Sequence, residues 1–238
     1  GVTSEYDARD LEISTVFVDT TGRPCRHDDG YASAAFRYDA SGFVERASLR
    51  DTRGRPVTGT DGFAGWVVKR NAAGLRLETT FLDEQGRPTI ARRLGTARRR
   101  WVYDAAGRVV ARSDHDTTGR PVNNAFGYST IKYIYDEYGQ ETGREIFDLA
   151  GRPLPVVVTV DKVVSRSFAA DSGFRPGDVI LTYDGENVRT THQFTNTLEV
   201  FKGNRGREVR VDRGGVIVAL DISAGRLNGL LLEDAARR

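Results

Sequence analysis

Between residues 34 and 135 apolar and polar positions alternate in short bursts. Ala34, Phe36 and Tyr38 are each two positions apart, as are Trp66 and Val68, Trp101 and Tyr103, and Ile131, Tyr133 and Tyr135. A period of two places such residues on one face of a half-buried strand. Longer strand-like runs follow over Phe43–Asp51, Leu75–Asp83 and Arg108–Asp116. Asp and Gly bound each run, which is the pattern of β-hairpins. Glycine supplies the positive φ of the turn, and the Asp side chain bonds the backbone two residues on.

These turns recur in register. Asp-x-x-Gly-Arg-Pro occurs at Asp19–Pro24, Asp51–Pro56, Asp83–Pro88, Asp116–Pro121 and Asp148–Pro153. The glycines fall at 22, 54, 86, 119 and 151, spaced by 32, 32, 33 and 32 residues. A second mark lies between them: Tyr38-Asp39 before Gly42, Arg70-Asn71 before Gly74, Tyr103-Asp104 before Gly107, and Tyr135-Asp136 before Gly139. A third is the glycine at 30, 62, 95 and 127, followed by Tyr31, Phe63, Thr96 and Tyr128. Together they predict about five 32-residue β-hairpin repeats over residues 1–153, each with two main strands and a short third segment begun by proline. Stacked repeats of this kind bury apolar surface against their neighbours and form an elongated antiparallel sheet. Tyr6-Asp7-Ala8-Arg9 stands 32 residues before Tyr38-Asp39, with Asp10 in place of the glycine. The first unit is therefore cut in mid-repeat. The start at Gly1 and the lack of methionine fit a piece of a longer polypeptide.

After Pro155 the pattern changes. A strand is expected over Val156–Val164, a short helix over Phe168–Ser172, a turn at Pro176-Gly177, and a strand over Asp178–Tyr183. A hairpin turn at Asp184-Gly185 follows. Phe194, Leu198 and Phe201 give Thr191–Lys202 the apolar stripe of a helix. Strands over Glu208–Arg213 and Val216–Ile222 complete a small α+β domain over residues 154–238. The fold class is mainly β, a repeat array followed by this smaller domain.

Composition narrows the function. With 39% hydrophobic and 29% charged residues the chain is globular. Its 35 basic and 33 acidic residues nearly cancel, so neither nucleic acid nor a membrane surface is an expected partner. Apolar runs of about five residues rule out a membrane-spanning helix. Cys25 is the only cysteine, and His27, His115 and His192 are far apart, so no metal cage is expected. No cofactor motif, nucleophile elbow or phosphate loop is present, and no catalytic residue is assigned. The excess of 31 Arg over 4 Lys points to a GC-rich bacterial genome.

Three surface patterns allow a binding role. Asp19, Asp51, Asp83, Asp116 and Asp148 form a ladder beside Arg23, Arg55, Arg87, Arg120 and Arg152. Calcium needs six to eight oxygens, so these read better as Asx turns neutralised by a nearby Arg. Arg92, Arg93, Arg98, Arg99 and Arg100 crowd next to Trp101, but alternation sends Arg98 and Arg100 to the face opposite Arg99. That pattern favours a solvated strand face over a phosphate patch. Phe36, Trp66, Trp101 and Tyr133 stand where a sugar-binding strip or inter-repeat packing would place aromatics, with packing the better fit.

Two resemblances sharpen the picture. Trp101-Val-Tyr-Asp-Ala-Ala-Gly-Arg-Val-Val resembles the YD-peptide repeat of bacterial Rhs-type proteins, which build β-hairpin shells. The likeness covers the Tyr-Asp…Gly half of each unit, and the period of 32 is longer than that family's. The run from Ser167 to Val188 resembles the most diagnostic segment of a bacterial-type PDZ domain. That family binds peptides, usually free C-termini, by adding them as a strand beside a helix.

The resemblance implies a site. Gly225, Arg226, Leu227, Asn228, Gly229 and Leu230 form the glycine-containing loop expected to cradle a terminal carboxylate. Leu230–Glu233, including Leu232, is the strand expected to pair with the peptide. Thr191, Thr195 and Leu198 line the helix side, with His192 within reach of the ligand residue two before the terminus. The loop here follows the helix, so the domain is expected to be circularly permuted. The expected partner is a protein or peptide C-terminus or another domain of the parent chain. The rival readings are a regulatory or substrate-recruiting region of a larger bacterial enzyme such as a protease, and a cell-surface array that binds glycan.

Overall fold

The computed structural model describes residues 1–191, 194–195, 207–222 and 229–236. The chain is mostly β, a long antiparallel sheet followed by a smaller one. By its internal contacts it divides into two compact units, Gly1–Ala125 and Phe126–Arg238.

In the first unit each repeat contributes a hairpin. These are β1 (Val2–Tyr6) with β2 (Glu12–Phe17), β3 (Ser33–Tyr38) with β4 (Val44–Arg50), β5 (Gly65–Arg70) with β6 (Arg76–Leu82), and β7 (Arg98–Tyr103) with β8 (Val109–His115). Successive hairpins pair antiparallel in chain order. The third segment of each repeat is reduced to a single bridge at its proline, as in Val18 with Pro24 and Arg50 with Pro56.

The three sequence marks have distinct physical jobs. In the Asp-x-x-Gly-Arg-Pro turn, Asp51 Oδ1 accepts the N–H groups of Arg53 and Arg55, each at 2.9 Å, and Oδ2 pairs with the Arg55 guanidinium. The same geometry recurs at Asp83 and Asp148. The ladder is thus built of Asx turns, and among the described residues no cluster of three His, Cys, Asp or Glu side chains suits a metal. The second mark closes the hairpin, with Asp39 Oδ1 accepting from Ser41 and Phe43. Asp10 takes the glycine's place at φ +65°, a conformation that Asp tolerates better than most residues.

The third mark joins neighbouring repeats. Thr60 N–H donates to Asp29 C=O at 2.8 Å, Arg92 N–H to Asp61 C=O at 2.6 Å, and Ala125 N–H to Leu94 C=O at 2.9 Å. The glycine after each acceptor, at 30, 62 and 95, lets the next backbone come close. A Cβ on Gly95 would lie 2.5 Å from the Ala125 nitrogen.

In the second unit, β9 (Thr130–Tyr135) and β10 (Glu141–Phe147) form the last hairpin, and β11 (Pro153–Leu154) pairs with β10. Then come β12 (Val156–Val163), α1 (Phe168–Asp171), β13 (Val179–Tyr183), β14 (Glu186–Asn187), β15 (Arg207–Arg213), β16 (Val216–Ile222) and β17 (Leu230–Ala236). The sheet order is β16-β15-β13-β12-β17, with β14 paired to β13. Its core joins Val158, Val160, Phe174, Ile180, Tyr183, Phe194, Val209, Val211 and Ile222. The sequence pattern changes near residue 154, whereas the compact units part between Ala125 and Phe126. The last hairpin shares its own core with the small domain. Tyr128, Ile131 and Ile146 are fully buried and pack with Leu154, Val156 and Ala236.

Among the described residues no helix is long and apolar enough to cross a membrane.

Candidate peptide-binding site

Among the described residues β17 ends its sheet, paired with β12 alone. Its register runs from Val163 opposite Leu230 to Val156 opposite Ala236. Gly229 C=O turns inward and accepts Val164 N–H at 2.8 Å, while Ala236 N–H turns outward. These residues are an odd number of positions apart, so alternation places the backbone polar groups of Leu230, Leu232 and Asp234 on the outer edge. Leu230 and Leu232 pack their side chains on the core, whereas Leu231 is exposed.

The start of the strand is fixed by Gly229 at φ +80°, where a Cβ would lie 2.4 Å from Ser167. Ser167 caps α1, its Oγ accepting Ala170 N–H and donating to Val164 C=O. Only glycine fits both the left-handed backbone and this close approach.

Further along, the strand is tied to Thr191, which is helical, as are Phe194 and Thr195. Thr191 N–H donates to Asp234 Oδ1 at 2.7 Å, and Thr191 Oγ1 donates to Oδ2 at 3.1 Å. Arg144 of β10 donates from Nη1 to the same Oδ2 at 2.5 Å and to Thr191 Oγ1 at 2.7 Å. Asp234 is 1% exposed, so its charge needs this partner. Burial works against the charge on Arg144, but bonds and attraction from Glu141 and Asp234 outweigh it and hold its pKa above the ordinary value. Thr195 is exposed and donates to Thr191 C=O at 2.8 Å, which places both threonines on one helix face. Phe194 points the other way, fully buried and edge-on to Tyr183 at 5.7 Å.

The far end of the edge is occupied. Ala236 N–H donates to Phe126 C=O at 2.9 Å. Phe126 precedes Gly127 as Asp29 precedes Gly30, Asp61 precedes Gly62 and Leu94 precedes Gly95. Ala236 therefore takes the place that the next repeat's N–H takes elsewhere, and a Cβ on Gly127 would meet the Ala236 methyl at 3.2 Å.

Of the expected site residues, Gly229, Leu230, Leu232, Thr191 and Thr195 belong to these two elements. Gly225, Arg226, Leu227, Asn228, His192 and Leu198 lie outside the described residues. Asp234, Arg144 and Phe126 were not expected from the sequence. Arg144 is one arginine among 31, and a buried Asp near the chain end carries no periodic signal.

The other sequence patterns resolve differently. Arg99 donates to buried Asp114 at 2.9 Å on one face, and Arg100, Arg98 and Lys69 surround Glu78 on the other. The arginine cluster is split between faces as alternation requires, but Arg99 is largely buried against a carboxylate and not part of a solvated face.

Residues 159–212 match the family model of the PDZ domain. The match runs from β12 to β15, so β17 follows the matched segment. No curated protein matches the chain. The segment's similarity is to a non-catalytic module that takes part in protein interactions.

Proposed function

We propose that the domain over residues 154–238 binds the free C-terminus of a partner peptide, and that the repeats over 1–153 serve as its scaffold. The observation that carries this reading is the outer edge of β17 beside Thr191 and Thr195. A peptide laid antiparallel to β17 makes ladder bonds at Leu230, Leu232 and Asp234. Its terminal carboxylate is placed beside Gly229, where β17 begins; Gly225, Arg226, Leu227, Asn228, His192 and Leu198, named from the sequence for the cradle and the helix side, lie outside the described residues. The permuted order follows, because the cradle and its strand come after the helix. Phe126 closes the edge at Ala236, which limits the ladder to these three positions. Micromolar affinity, ~8 kcal/mol, is expected for such a short contact.

Panning the full chain against a C-terminal display library tests this, with each hit resynthesised as free acid and as amide. The expected result is a micromolar Kd that weakens by about tenfold or more on amidation, because a charge-assisted bond is lost. Equal affinity for acid and amide would overturn the chain-end reading. Absence of binders would overturn the peptide reading itself.

A further inference from the structure

Among the described residues the sheet of the second unit has two outer strands, β17 at one side and β16 at the other. β16 pairs with β15 along its whole length, Val216–Ile222, with no shift of register. One bond fixes which way its backbone faces. Asp184 N–H donates to Glu208 C=O at 2.8 Å, so Glu208 turns its polar groups toward β13. By alternation Arg207, Val209, Val211 and Arg213 turn theirs toward β16. Their partners Ile222, Leu220, Val218 and Val216 answer them, and the N–H and C=O groups of Ile217, Ala219 and Asp221 face outward.

This edge lacks the usual protection. Edge strands are commonly guarded by proline, lysine, a bulge or a very short length. Elsewhere β1 carries a register shift at Glu5 and Tyr6, and β11 is two residues long and opens with proline. β16 reads Val-Ile-Val-Ala-Leu-Asp-Ile, with a single charge and no bulge. Val216 is 64% exposed and Ile217 57%, and Ala219 and Asp221 are exposed as well, so these side chains stay open to solvent.

We propose that β16 docks on β16 of a second copy of this chain, antiparallel, with Ala219 on the two-fold axis. A two-fold contact requires that residue i meet j and that j meet i. With outward groups at 217, 219 and 221, only the register that sets Ile217 opposite Asp221 and Ala219 opposite Ala219 uses all of them in both copies. The side chain on the axis is small. The two Asp221 carboxylates are kept apart, each opposite an isoleucine. On the core face Val216 of one copy comes opposite Ile222 of the other, and Val218 opposite Leu220. A contact along one strand edge is small, so the dimer is a weak one.

Sedimentation of the full chain over a concentration series, with disulfide trapping beside it, tests this. The mass should rise from monomer toward dimer as the chain approaches about 100 μM, and go no further. Trapping combines Cys25→Ser with Ala219→Cys. Hydrogen-bonded partners lie about 5.5 Å apart at Cα, within disulfide reach, so oxidation should link two chains through position 219. Val216→Cys in the same background should not link, because the two 216 positions are about 20 Å apart in this register. Ile217→Asp sets like charges opposite each other and should weaken the dimer several-fold, whereas Ile217→Lys sets an opposite charge there and should not. Tm of each variant, measured on the dilute monomer, separates these effects from loss of folding. The proposal is overturned if the chain stays monomeric, if position 216 links as readily as 219, or if the two Ile217 variants dimerise equally. Species larger than a dimer would also overturn it, in favour of β16 pairing head to tail with β17.

Discussion

Residues 1–125 and 126–238 are both built on antiparallel sheet, yet they are held together differently. In the first unit six of the nine buried apolar side chains are alanines: Ala32, Ala34, Ala47, Ala64, Ala91 and Ala97. Its order comes from turns and from close backbone approach. A Cβ on Gly65, for example, would sit 2.3 Å from the Ala47 carbonyl oxygen. The second unit buries Phe174, Tyr183, Phe194 and a set of Val and Ile side chains in one cluster. Local chemistry repeated many times can replace a large core, provided each repeat satisfies its neighbour's backbone. Where the chemistry is not repeated, long-range apolar packing takes over.

Truncating a large core residue should separate the two most sharply. Phe194→Ala removes a fully buried ring and should cost about 3–5 kcal/mol, whereas Leu82→Ala in the first unit should cost nearer 2–3. Urea unfolding followed by hydrogen exchange over each unit measures both. Equal costs would mean that the repeats have a packed core after all.

Gly229→Ala comes next. The left-handed backbone and the clash with Ser167 should destabilise the second unit by about 1–3 kcal/mol and shift Leu230. Exchange rates in β17 should rise while those in β3 to β8 stay as they were. If the thermal midpoint is unchanged, the corner at Ser167 is looser than described.

Acid should affect the first unit earlier. Burial holds the His115 imidazole below its ordinary value of 6.5, so the unfolded chain protonates first and stability begins to fall as pH drops through that value. The Asx-turn carboxylates are held low as well, Asp51 and Asp83 chiefly by the N–H groups of Arg55 and Arg87, and Asp116 chiefly by the Thr118 hydroxyl. Their contribution is complete above about pH 5 and is lost as pH falls through the lowered values. Tryptophan emission, which reports only the first unit, should therefore shift at a higher pH than exchange in β12 and β13. The reverse order would remove the turns from the account.

The smallest effect should come from Arg55→Gln. Its side chain is 66% exposed, and an exposed pair adds little. The Asp51 turn bonds to backbone N–H groups remain, so Tm should stay within about 2 °C. A larger drop in a melting scan would give the arginine ladder a structural role that its geometry does not suggest.

The sequence by itself determined what lies within a few residues of its cause. An Asp and a Gly three positions apart suffice for the turn, so the repeat period, the hairpins and the proline bridges were legible. The Ser167–Val188 segment likewise carried its own local pattern of helix, turn and strand. Tertiary structure alone decided that Ala236 stands in for the next repeat at Phe126, and that Arg144 and Asp234, 90 residues apart, hold Thr191 against β17. It also decided that β16 lies at the edge of its sheet. Those arrangements depend on which strands become neighbours and on charges that are affordable only once buried beside each other, and neither is written in the spacing of residues along the chain.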